Sequence, residues 1–234
     1  MRLTKLIKLI EEKIPPQLAI KGDKIGLITP TNDINVERIL LLMDYITTDQ
    51  IPYKDYDLLI LHHPTQLEPP IPTYVIHSNW DIIKGGACDA LANKLGLKVV
   101  DTISDGLGRI CKTDTRLETL IEEIHKKLKP EETRIVNFKR NLKIDEIAIV
   151  SGFGLNPRMI KKVHEKNVKV YLSGDLTQEG AILAKNLGLT LIDAGHHTTE
   201  LPGLYKLGEL LSHLGVEIKI IDTKTPWKTI KWNP

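Results

Sequence analysis

The stretch Leu58-Leu59-Ile60-Leu61-His62-His63-Pro64 decides the reading of this chain. Four consecutive apolar residues between Asp57 and Pro64 predict a strand buried on both faces, the pattern of a parallel sheet in an α/β protein. In open α/β sheets ligands bind beyond the carboxyl ends of the strands, which is where His62 and His63 follow Leu61. Neutral imidazole is a common ligand of first-row transition metals, so two of them at a strand end point to a metal. His-His-Pro alone reads equally well as a strand running out into polar loop residues, and the rest of the chain has to weigh between the two.

Working outward, Ile39 to Met43 predicts the preceding strand, and Val75-Ile76 leads into a second polar strand end, His77-Ser78-Asn79-Trp80-Asp81. Gly85-Gly86 opens a helix reaching Leu95, and Lys98 to Val100 reads as a short strand. Arg116 to Leu128 is helix-periodic, with Leu117, Leu120, Ile121, Ile124 and Leu128 on one face. A second α/β series follows: strand Ile147 to Val150, the turn Ser151-Gly152-Phe153-Gly154, a helix from Arg158 to Glu165 and a strand from Val168 to Leu172. A helix from Gln178 to Leu187, ended by Gly188, precedes strand Thr190 to Ile192. That strand delivers Gly195-His196-His197-Thr198-Thr199-Glu200, after which Leu204 to Leu214 predicts a helix and Val216 to Ile221 a last strand. The expected organisation is a first α/β half over 1–113 joined by 216–234, a charged link over 114–145, and a second half over 146–215.

Composition excludes several classes. The 234 residues, 41% hydrophobic and 26% charged, are those of an ordinary globular protein with room for one large or two modest domains. A net charge of +2 gives no strong pull toward nucleic acid. Cys88 and Cys111 match no paired metal motif and no disulfide pattern, so a reduced, cytoplasmic setting is expected. No stretch is apolar enough to span a membrane. Leu3, Leu6, Ile7, Ile10 and Ile14 predict a surface helix with one inward face rather than a signal peptide, and Glu11 and Glu12 argue against a membrane-surface role.

Five candidate ligands stand out: His62, His63, Asp81, His196 and Glu200. If Gly195 leads into a helix, His196 and Glu200 share one face at i and i+4. Mixed imidazole and carboxylate donors suit first-row divalent metals, and the lack of thiols argues against a structural zinc site. The set is large enough for two ions roughly 3.5–4 Å apart. Each has a plainer reading: Asp81 as a helix N-cap, and His196 with Glu200 as a hydrogen bond in a first helical turn. His77 and His197 read as partners that orient a ligand, as weak catalytic candidates for proton transfer, or as structural histidines. His125, His164 and His213 read as structural. The Ser151–Gly154 turn could cradle an anion with its amides, but it has no P-loop Lys and no full dinucleotide fingerprint. No Gly-x-Ser-x-Gly elbow is present.

Leu61-His62-His63-Pro64, His77-Ser78-Asn79-Trp80-Asp81, Ser151-Gly152-Phe153-Gly154, Tyr171-Leu172-Ser173-Gly174-Asp175 and Gly195-His196-His197-Thr198-Thr199-Glu200 occur in this order. Together they resemble the Nif-three-like family, whose members are often called GTP cyclohydrolase 1 type 2 homologues. The resemblance implies two three-layer α/β/α domains facing each other across a metal-binding cleft, and a ring-shaped homohexamer. It implies one ion on His63 and Asp81, a second on His62 and His196, and Glu200 bridging both. Two positions depart from the family pattern. Asp23-Lys24-Ile25-Gly26-Leu27 stands where many relatives have Asp-Asn-x-Gly-Leu, and Thr177-Gln178-Glu179 stands where many place a histidine.

The expected function is therefore a dinuclear metal-dependent hydrolase using activated water on a nucleotide-like or small metabolite substrate. A non-catalytic protein that binds or delivers metal would use the same five ligands. A third reading, a ring that binds nucleic acid through Lys126, Lys127, Lys129, Lys139, Arg140 and Lys143, is weakened by the acidic residues between them.

Overall fold

The computed structural model describes residues 1–230. In chain order the elements are α1 (Leu3–Lys13), β1 (Gly26–Leu27), β2 (Arg38–Leu42), β3 (Leu58–Leu61), β4 (Thr73–Val75), α2 (Ser78–Ile82), α3 (Ala87–Leu95), β5 (Lys98–Ile103) and β6 (Gly108–Arg116). They continue with α4 (Leu117–Leu128), β7 (Arg134–Val136), β8 (Lys143–Phe153), α5 (Pro157–Glu165), β9 (Val170–Gly174), α6 (Gln178–Leu187), β10 (Thr190–Asp193), α7 (His196–Ser212) and β11 (Glu217–Ile220). The chain forms two α/β units. Unit 1 comprises Met1–Gly86 and Leu204–Lys224, and unit 2 comprises Ala87–Gly203 with the segment from Thr225 onward.

This division differs from the expected one. The first half does not run to 113, because α3 sends Leu91, Ala92 and Leu95 into the same core as Cys111, Ile147 and Ile149 of the second sheet. Nor is 114–145 a link. It carries α4 and the edge strand β7, in which Arg134 lies opposite Asp193 of β10. Short strands flanked by charges give no apolar run, so only the pairing shows them. The second boundary falls inside α7, after Gly203. Of the segment 216–234, residues 231–234 lie outside the described part.

Unit 1 is built on a sheet ordered β1-β4-β3-β2-β11, parallel throughout except for β1. All four residues of β3 are fully buried, as a strand covered on both faces requires. Leu40 and Leu42, Leu59 and Leu61, and Val75 point to one side, where Ile51, Tyr53 and Ile71 of the irregular segments cover them. Against the sheet lies the second part of α7, whose Leu204, Leu207 and Leu211 are buried. A Cβ on Gly208 would stand 3.3 Å from Leu41 Cδ2 and collide with Ile220, so glycine sets how closely this helix approaches. Helix α1 buries Leu3, Leu6 and Ile10 along one stripe.

Unit 2 has a six-stranded mixed sheet ordered β5-β6-β8-β9-β10-β7. Strands β8, β9 and β10 run parallel, while β5, β6 and β7 pair antiparallel with their neighbours. Alternation sends Ile147, Ile149 and Leu172 toward α3 and α4, and Ala148, Val150 and Tyr171 toward α5 and α6. The result is a three-layer α/β/α unit. No helix among the described residues is long and apolar enough to cross a membrane.

Candidate metal centre

In unit 1 the parallel register gathers polar groups at the carboxyl ends of three adjacent strands. Past the end of β3, His62 N–H donates to Leu42 O (3.1 Å) and His63 N–H to Met43 O (2.9 Å), so the ladder holds both histidine backbones. The ring of His62 lies with Nδ1 2.9 Å from Ile76 O, beyond β4. The ring of His63 lies with Nδ1 2.8 Å from Asp44 Oδ1, beyond β2. His77 Nδ1 lies 2.8 Å from Asp23 Oδ1. Each acceptor calls for a proton on Nδ1 of the neutral ring, which would turn the lone pair of Nε2 toward any ion bound there. His62, His63 and His77 offer ring nitrogens within 4.8 Å of one another.

Asp81 does not cap a helix. It lies inside the short helix α2, buried, with Oδ1 3.7 Å from His62 Nε2. Asp23 accepts from Ser78 N–H (3.1 Å) and from the Ser78 hydroxyl. Burial acts to raise its pKa, but the hydrogen bonds from Ser78 and His77 prevail and lower it. His77 is held below its ordinary value by burial and by His62, against the pull of Asp23.

In unit 2, α7 begins at His196, eight residues earlier than the apolar pattern from Leu204 indicates, because His, Thr and Pro202 obscure its first turns. His196 and Glu200 therefore share a helical face, with Nε2 and Oε2 3.1 Å apart. On the other edge of the ring, Nδ1 lies 2.5 Å from Asp175 Oδ2. Burial disfavours the imidazolium, yet the hydrogen bonds and charges of Asp175 and Glu200 outweigh it and push His196 up to about 10. A metal binding here would displace that proton.

The glycine turn serves this pair rather than an anion. Gly152 N–H donates to Thr199 Oγ1 (2.9 Å), Gly152 O accepts from Ser173 Oγ (3.0 Å), and Gly154 N–H returns to Gly152 O (3.1 Å). Gly152 has φ +73°, and a Cβ there would collide with Glu200 Oε1 and stand 3.1 Å from His196 Nε2. His197 lines a pocket of about 80 Å³ with His196, Asp175, Asp193, Arg134 and Trp227. His125 pairs with Thr133 Oγ1 at 3.0 Å.

The structure thus gathers His62, His63, His77 and Asp81 in unit 1 and His196 with Glu200 in unit 2. Asp23, Asp44 and Asp175, which orient three of the rings, carry no sequence signal as partners, since each pairs with its histidine across strand ends rather than along the sequence. These histidine and carboxylate groups could hold a metal ion, and the donor chemistry fits a first-row divalent cation.

Fold and donors together define an α/β protein of two units with histidine–carboxylate groups suited to metal. The chain belongs to the Duf34/NIF3 (NGG1p interacting factor 3) family, whose model matches residues 1–70 and 66–226. It is 48% identical over 230 residues to a GTP cyclohydrolase 1 type 2 homolog of Methanothermobacter thermautotrophicus, covering 97% of this chain and 95% of that one. A protein of the same name from Methanocaldococcus jannaschii is 35% identical, over 95% of this chain and all of its own. Among solved structures, reduced HcgD from Methanocaldococcus jannaschii superposes with a TM-score of 0.84 at 33% identity, covering 96% and 98% of the two chains. Staphylococcus aureus protein SA1388 shares the fold, with a TM-score of 0.86 at 21% identity over 98% and 99%.

Proposed function

We propose that this chain is a dinuclear divalent-metal-dependent hydrolase acting on a nucleotide-like or small metabolite substrate. The supporting observation is the orientation of the rings: Nδ1 of His62, His63 and His196 lies at hydrogen-bond distance from Ile76 O, Asp44 and Asp175. A ligating histidine is commonly held in this way, with its outward nitrogen left for the ion. In this reading His62, His63, Asp81, His196 and Glu200 would hold the two ions between them. Bound, such ions lower the pKa of a coordinated water and polarise a substrate oxygen. Asp44 and Asp175 keep two of the rings in the ligating tautomer, and His77 or His197 moves a proton to or from the substrate. The name carried by the relatives favours a purine nucleotide as the first substrate to try. A homohexameric ring and a cytoplasmic setting complete the proposal.

Elemental mass spectrometry of the purified protein, wild type beside Glu200→Ala, tests it together with turnover of a nucleotide panel. The expected result is about two first-row ions per chain, lost in the variant, and water-dependent product formation. Full metal in Glu200→Ala would overturn the ligand assignment. Two ions with no turnover of any substrate would leave a protein that holds or delivers metal.

A further inference from the structure

We infer that the pocket beside His196 in unit 2 reads a guanine-type base: Trp227 stacks on the ring, Glu132 accepts from its N1–H and 2-amino group, and Arg134 donates to its 6-oxo oxygen. This deepens the reading above and rests on it for the nucleotide, but no metal donor takes part in recognising the base.

The aromatic platform comes first. The pocket takes Glu131, Glu132 and Arg134 from the residues around the start of β7, and Thr225 and Trp227 from the segment after β11. A single hydrogen bond ties the two stretches together, from Thr225 Oγ1 to Glu131 Oε1 at 3.3 Å. The Trp227 indole is 60% exposed, and no ring or cation among the described residues lies on it. A bare indole among charged and hydroxyl groups suits a flat heterocycle, since every base offers a π-face to stack.

The polar groups choose which base. Arg134 directs Nε and Nη2 to one oxygen of Asp193, whose side chain is 3% exposed, so the guanidinium is held in place. Its Nη1 donates to nothing among the described residues. Glu132 makes no hydrogen bond or ion pair among them either, which leaves both its oxygens open. A free donor and a two-oxygen acceptor match the guanine edge, which presents one acceptor oxygen and then two N–H donors. Adenine would meet Arg134 with an amino donor and Glu132 with a lone pair. A ligand that is merely anionic is disfavoured, because Glu131, Glu132, Asp175 and Asp193 line the pocket with Arg134. His196 lines it too, so a base held here brings its nucleotide to the ring that the metal reading uses.

Calorimetric titration of the intact chain with guanosine, inosine and adenosine tests this by binding alone, with ligands that carry no phosphate for a metal to hold. Guanosine should bind. Inosine, which lacks only the 2-amino group, should bind about tenfold more weakly, and adenosine more weakly still. Trp227→Ala should weaken guanosine binding at least about tenfold, and Trp227→Phe should restore most of it. Glu132→Gln should weaken guanosine about tenfold and bring it level with inosine. Both residues are exposed, so the variants should keep the wild-type circular dichroism spectrum. No guanosine binding, equal binding of the three nucleosides, or unchanged affinity in Trp227→Ala or Glu132→Gln overturns the inference, whatever the metal content and turnover of the wild type. The expected losses in a protein that hydrolyses no nucleotide would keep the base pocket and remove the hydrolase.

Discussion

His196 Nδ1 lies 2.5 Å from Oδ2 of Asp175, the first residue after β9, whose backbone sits in the left-handed region at φ +57°. That conformation, which Asp tolerates better than most residues, turns the chain just beyond the parallel sheet. Asp175→Asn should weaken zinc binding by about 10–100-fold, because the ring loses the partner that sets its tautomer. Calorimetric titration with zinc checks this, with circular dichroism as the folding control. Wild-type affinity in the variant would mean that His196 is not held as a ligand through Asp175.

Gly152 gives a steric prediction. Gly152→Ala places a methyl against Glu200 in a backbone region that L-residues adopt at a cost of about 1–3 kcal/mol. Chemical denaturation should register a loss of at least that size, and metal content should fall as Glu200 is pushed aside. A variant with unchanged denaturation midpoint and metal content would show that the turn yields freely.

Arg109 is a second point of sensitivity, within the core of unit 2. Its side chain is 3% exposed, and it donates from Nη2 to Asp89 Oδ2 at 2.7 Å and from Nη1 to Gly106 O at 2.6 Å. Arg109→Leu leaves the Asp89 carboxylate without its cation and should cost about 3–5 kcal/mol, read from urea unfolding. Restoring most of that loss with Asp89→Leu in the same chain would show that the penalty comes from the stranded charge.

A pH prediction follows from Cys111. Burial, reinforced by Asp89, pushes its thiol up to about 12. The folded chain therefore keeps its proton where the unfolded chain releases it, near pH 9. Since the unfolded state then binds fewer protons, this residue's contribution to stability falls as pH rises from about 9 toward 12. Below pH 9 the thiol should resist iodoacetamide in the folded protein and react only after denaturant is added. Rapid alkylation of native Cys111 at pH 8 would contradict its burial.

The sequence was most legible where a single element satisfies its own pattern. The β3 run, Leu58–Leu61, and helix α6, Gln178–Leu187, occupy the residues that apolar continuity and the stop at Gly188 indicate. What stayed hidden depends on partners. Strand β6 is buried only over Gly108–Cys111 and then turns polar and exposed from Lys112, so it presents neither a steady apolar run nor alternation. Strand β7 is three residues long amid charges and is recognised by its pairing with β10. The same limit held at the candidate site. The histidines were readable because they follow apolar runs, whereas Asp23, Asp44 and Asp175 acquire their roles from contacts made 54, 19 and 21 residues away.

Strand β11 pairs with β2 through Ile218↔Ile39 and Lys219↔Leu40, although most of the chain is synthesised between them. Emerging from the ribosome, β2 must wait with one hydrogen-bonding edge open while residues 87–203 are made. Those residues form most of a separate unit and can reach their fold first. Such long-range parallel pairing is slow to form, and an open edge of Ile39, Leu40 and Leu41 is a template for stray strands in the meantime. A chain cut short before Glu217 would carry that liability permanently: it would keep every proposed ligand yet accumulate as aggregate.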